Sequence, residues 1–248
     1  MFTSKQHLHF NLGVDADIAA FFVNRQVPVN NHYWNKKLLY VADGTGYLFI
    51  PLFFDLQFKS GISRDNILNE EYVGLMEVIL DSAALHEMEK ICFSQHVENC
   101  KNIMSNKIKN HNLYIDLLLY FRDQQLKPYK KLGTTSKALN RGDTFLFSTC
   151  FLDLDNEVTN KNLENWYALV PAFLLMDDIS DIQEDQEKNE ENAVNDFGPG
   201  NTGVKNAIEF LRNKFSHLKT LNAALGSYFE RSLEKKLQTA YMKSLLNN

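Results

Sequence analysis

Apolar positions recur along this chain at intervals of three and four residues, the period of a helix with one buried face. Val73, Met76, Leu80, Ala84 and Met88 follow that spacing, which predicts one long helix across 70–100. NLYIDLLLYFR at 112–122 predicts a second helix, stopped by Pro128 after a basic stretch. A third is expected over 136–152, with Ser136 as its N-cap. A fourth, longer helix enters through TNKN and runs from Asn162 to about Glu191. Beyond the turn signal FGPGN (197–201), two more helices are expected at 203–216 and 218–245, and two earlier ones near 15–24 and 46–58. No alternating strand pattern of useful length occurs, and no repeat or low-complexity linker divides the chain. The pattern predicts a single all-α domain, a helical bundle spanning 1–248.

Composition narrows the function. The 248 residues suffice for a sizeable buried core. Three cysteines without CxxC spacing argue against a disulfide framework or a structural zinc site and fit a reducing compartment. The N-terminal stretch lacks the apolar core of a signal peptide. The strongest apolar run, YLFIPLFF at 47–54, is far shorter than the ~20 residues of a membrane span. These features lead to the expectation of a cytoplasmic protein with no stable membrane span. With no basic stripe and no reading motif, no nucleic-acid partner is expected.

Charge is uneven. Residues 177–196 hold nine acids and one lysine, a local charge of −8 against −5 for the whole chain, so the remainder is +3. The acids begin directly behind an apolar run, in FLLMDDISDIQED (173–185). On a helix, Asp177, Asp178, Asp181 and Asp185 share one side over two turns. Like charges so spaced repel by a few tenths of a kcal/mol per pair, and a divalent cation reverses that sign. Hard carboxylate oxygens suit Mg²⁺, which is held by a few carboxylates and a substrate phosphate. The alternative is a solvated acidic face.

DDISDIQED, with its apolar lead-in and with Asp196 eleven residues after Asp185, resembles the second aspartate-rich motif of the class I isoprenoid (trans-prenyl diphosphate) synthase family. Upstream, GTGYLFIP (44–51) and the pair Glu77 and His86, separated by eight residues, keep the spacing of that family's first half. Tyr47, Leu48 and Phe49 stand in place of its basic residues, and Glu87-Met88 in place of its first aspartate pair. Lys137 lies forty residues before Asp177, with Arg141 one turn on.

The resemblance implies the helical fold of that family and Mg²⁺ as cofactor, held by Asp177, Asp178, Asp181 and Asp185. It also implies contacts from Lys137, Arg141 and Asp196 to a diphosphate, with His86 and Glu87 as the remnant of the first motif. The implied ligand is a prenyl diphosphate, the implied reaction its ionisation by a transferase or lyase other than a standard chain-elongating synthase, and the implied assembly a homodimer. Ser82 and Ala83 would floor the prenyl pocket. The rival expectation is a catalytically inactive relative acting as a binding or partner subunit. A mapping of Asn222, Gly226 and Glu230 onto a terpene-cyclase metal motif is disfavoured by their short distance from Asp177; an ordinary surface of the last helix is expected there.

Overall fold

A computed structural model describes residues 4–26, 28–32, 49–122 and 129–247. The GTGYL part of GTGYLFIP, the start of the helix expected at 46 and the stop at Pro128 lie outside the described residues.

Side-chain caps start most of the helices. Asp15 accepts from the amides of Asp17 and Ile18 to open α1 (Ala16–Asn24). α2 spans Phe49–Lys59, and Ser63 caps the single turn of α3 (Arg64–Ile67). Asn69 caps α4 (Glu70–Glu87), and Cys92 with Gln95 closes a capping box at α5 (Phe93–Met104). Asn110 caps α6 (His111–Phe121), ahead of the short α7 (Leu146–Thr149). Asp155 opens the 33-residue α8 (Asn156–Lys188), which ends at Asn189 in the left-handed conformation. α9 (Gly200–Leu221), α10 (Ala223–Leu237) and α11 (Ala240–Asn247) complete the described chain. Apart from an isolated bridge between Tyr129 and Leu132, no β-structure occurs among the described residues.

The helix expected over 70–100 is two. Glu89 sits at φ +58, and His86 bonds through Nδ1 to the carbonyl of Ile91 at 3.2 Å, turning the chain between α4 and α5. The helix expected over 136–152 is a succession of 3₁₀ turns (Ala138–Asn140 and Asp143–Phe145) leading into α7. Ser136 does cap, accepting from the Leu139 amide at 3.3 Å, but the turn it opens is 3₁₀. The break near 217 falls instead at Asn222, which is buried rather than a surface position. Asn222 caps α10 and donates to the Leu12 carbonyl at 2.9 Å and to Asp55 at 3.0 Å.

α8 is the central element, packed against α2 on one side and α9 on the other, with α10 laid on α9 and α5 on α4. Trp166, Leu169, Ala172, Leu175 and Ile179 are buried along it. Pro171 stands inside it and, lacking an N–H, leaves the Tyr167 carbonyl without its helical partner. No helix of the described residues is long and apolar enough to cross a membrane.

Candidate functional site

Two helices carry stripes that begin apolar and end in a carboxylate. On α8, Trp166, Val170, Phe173, Leu174 and Asp177 face one cavity of about 150 Å³; on α4, Leu80, Ala83 and Glu87 line the same cavity. Phe49 of α2 and Phe145 of the second 3₁₀ turn complete its apolar wall, and Arg141 lines it from the segment between the 3₁₀ turns. The indole of Trp166 lies parallel to the Phe145 ring, with centroids 4.9 Å apart, and stands edge-on to Phe49 at 6.0 Å. An apolar chamber thus carries two acids and one guanidinium.

The four aspartates of the acidic motif separate into different roles. Asp177 is exposed and lines the cavity. Asp178 is buried, at 6% exposure. Its Oδ2 accepts from the amide of Ala193 at 2.8 Å, and its Oδ1 lies 3.7 Å from Nη2 of Arg141. Burial raises its pKa, the Ala193 amide and Arg141 lower it, and the neighbouring Asp185 and Asp177 raise it again; the net direction is upward. Asp185 accepts from the side-chain amide of Asn192 at 2.7 Å, and the same amide reaches the Asp178 carbonyl at 2.7 Å. Asp178 and Asp185 thereby clamp the segment that returns from α8 into the 3₁₀ turn Ala193–Phe197. Asp181 is half-buried, its pKa raised by desolvation and then by Asp177, Asp185 and Glu184, against a lowering from Lys236.

The other expected site residues divide likewise. Asp196 accepts from the Ser136 hydroxyl at 2.6 Å, tying that turn to the loop before Lys137. Lys137 is exposed and does not line the cavity, while Arg141 does. Of the two residues expected as a first-motif remnant, Glu87 lines the cavity, whereas His86 is engaged with Ile91 at the end of α4. Ala83 lines the cavity. Ser82 instead bonds to His96 Nδ1 at 2.9 Å and accepts from the Asn99 amide at 3.1 Å.

Three residues of this site carry no signal in the sequence. Thr144 lines the cavity, and its hydroxyl is 2.9 Å from Nε2 of His96. His96 is buried, and burial followed by the nearby His86 pulls its pKa down to about 4. Beside Thr144, the Asp143 carboxylate accepts from Trp166 Nε1 at 2.8 Å, Tyr120 at 2.7 Å and Tyr167 at 2.8 Å. Burial pushes its pKa up to about 6 despite the three donors. GD before an apolar run does not announce a buried carboxylate; only the assembled core shows its partners.

No family model, curated protein or solved structure matches the chain.

Proposed function

We propose that the chain binds a prenyl diphosphate with Mg²⁺ at this cavity and ionises it, as the resemblance of its acidic motif to the class I isoprenoid synthases implies. The observation that supports this reading is the meeting of Glu87, Arg141 and Asp177 at one apolar cavity. These three charges stand at the exposed mouth of an apolar chamber, where a charged headgroup with an apolar tail could meet both.

Among the described residues no group of three or more His, Cys, Asp or Glu is assembled to hold a metal. Mg²⁺ needs no such cage, since one or two carboxylates, several waters and a substrate phosphate complete its octahedron. Asp177 is the best placed carboxylate. Asp181 is raised first by desolvation and then by Asp177, Asp185 and Glu184, and a cation would relieve the second contribution. Asp178 and Asp185 are occupied in holding the 192–193 segment, so they orient the site rather than ligate. A bound Mg²⁺ would supply charge stabilisation for the leaving diphosphate. Arg141 would add a fork of donors to its oxygens, and the walls of Trp166, Phe173 and Leu174 would keep water from the allylic cation. The cavity is smaller than the about 300–1,000 Å³ of drug-sized ligand sites, so a short prenyl tail fits this reading best.

A second reading has its own support. The engagement of Asp178 and Asp185 within the fold favours a non-catalytic binding or partner subunit that retains the acidic rim for structure. Calorimetric titration of Mg²⁺ with a non-hydrolysable prenyl diphosphate separates the two. Metal-dependent binding to wild type, lost in Asp177→Asn and in Glu87→Gln, is expected. No binding to wild type would overturn the first reading and leave the second.

A further inference from the structure

The opposite side of α8 borders a different chamber. Glu164 and Tyr167 form one wall of an open cleft of about 730 Å³, with Lys130 and Lys131 on a second wall and Lys214 and His217 of α9 on a third. Three lysines and one carboxylate, Glu164, line the cleft, and a second carboxylate, Asp116, reaches Lys130, so one positive charge is left over in a chain of net charge −5.

The lysines are held in unequal ways. Lys130 sits at φ +50 in the tight turn where Tyr129 and Leu132 exchange amide–carbonyl bonds of 2.7 Å, a conformation that a non-glycine residue adopts at some cost. Its ammonium reaches Asp116 at 2.7 Å. Lys131 stands 3.9 Å from Glu164, at the outer limit of an ion pair. Lys214 is half-buried with its ammonium 4.9 Å from the centre of the Phe210 ring, and it has no carboxylate partner among the described residues. Burial lowers its pKa for that reason. At the same wall, His217 Nε2 is 2.9 Å from Asn165 Oδ1, and the Asn165 amide is spent on the Ser60 hydroxyl at 2.7 Å. Asn165 therefore presents its oxygen, so Nε2 of His217 carries the hydrogen and Nδ1 is left as the nitrogen that can gain a proton.

We propose that this cleft binds a phosphorylated small molecule, with a phosphate group set against Lys214 and Lys131. A desolvated ammonium without a counter-ion is unfavourable, and an anionic ligand removes that cost. A phosphate carries more charge and more acceptor oxygens than a carboxylate, which suits a cleft where Lys214 lacks a carboxylate and Lys131 is only loosely paired. Tyr167 and Phe210 supply a flank for the rest of the ligand. The site is separate from the cavity of Asp177 and Glu87, requires no metal, and does not rest on the isoprenoid reading.

Calorimetry of the full chain with inorganic pyrophosphate, in the presence of EDTA, tests the proposal. Saturable binding is expected, weakened about tenfold in Lys214→Met, which keeps the apolar stem, and likewise in Lys131→Met. Lys101→Met, at an exposed ion pair with Glu98 on α5, is expected to bind as wild type does. The proposal is overturned if wild type shows no saturable binding up to millimolar pyrophosphate, or if both lysine variants bind unchanged. Equal weakening in Lys101→Met would also overturn it, because the anion would then be held by surface charge in general.

Discussion

The hydroxyl of Thr144 stands 2.9 Å from Nε2 of His96, and the residue preceding Thr144 is Asp143. One buried titratable group, Asp143, therefore belongs to the 3₁₀ turn whose next residue bonds the other, His96. Their shifts run in opposite senses. The folded protein holds the Asp143 proton up to about pH 6, whereas an unfolded aspartic acid releases it near 3.8. The contribution of Asp143 is therefore present at low pH and lost as pH rises through that window. His96 is neutral in the fold down to about pH 4, but takes a proton near 6.5 when unfolded. Its contribution is lost as pH falls.

Each term is at most about 3 kcal/mol, and across the shared window they oppose. Wild-type stability is accordingly expected to change little from these two groups, while the variants diverge. Asp143→Asn should leave stability rising with pH between about 4 and 6.5, and His96→Gln should leave it falling. Urea unfolding across that range measures both slopes against wild type. Parallel slopes in the two variants would remove the argument.

Asp177 and Asp178 are adjacent in the chain but differ in consequence. Removing the Asp178 carboxylate unpairs the buried Ala193 amide and frees the segment after α8. Asp178→Ala is expected to cost about 1–3 kcal/mol, and Asp177→Ala less than about 0.5 kcal/mol. Chemical denaturation of the two variants checks this, and equal losses would show that the clamp is unimportant to stability.

A close backbone approach seals the same region. A Cβ on Gly203 would lie 2.0 Å from the Gly198 carbonyl oxygen, so only glycine lets the start of α9 pack on the turn Ala193–Phe197. Gly203→Ala should cost about 1–3 kcal/mol. Gly74→Ala, in α4 where a Cβ meets nothing within 4 Å, should be neutral or stabilise by up to about 1 kcal/mol. Thermal melts of the pair decide, and a harmless Gly203→Ala would mean the turn can move.

What was legible in the sequence follows from what is local. The apolar period marks α4, α6 and α9 because each buries one face, whereas α8 is buried on all sides over 165–173 and begins at Asn156, six residues before the expected start. The junction at 88–92 was hidden because its turn is built on Glu89 with positive φ and a His86 side-chain bond, without the glycine or proline that usually marks such a place. The segment 136–149 has a helical pattern, yet Asn140 accepts the Thr134 amide at 2.7 Å and Asp143 turns inward to Trp166. Those tertiary partners outweigh local propensity. Of the acidic motif, the spacing showed that the aspartates lie together, but not that Asp178 and Asp185 face a returning loop. That assignment depends on Asn192 and Ala193, which follow α8 and are brought back to it by the turn beyond Asn189.

Trp166 gives the cavity an optical readout of its own. The chain has two tryptophans, and Trp34 lies outside the described residues, so Trp34→Phe would leave Trp166 as the sole indole emitter. Its ring is fully buried, stacked on Phe145 and tethered to a carboxylate that changes charge near pH 6. Fluorescence from this one side chain is therefore expected to report both occupancy of the chamber and protonation of Asp143, with no label attached.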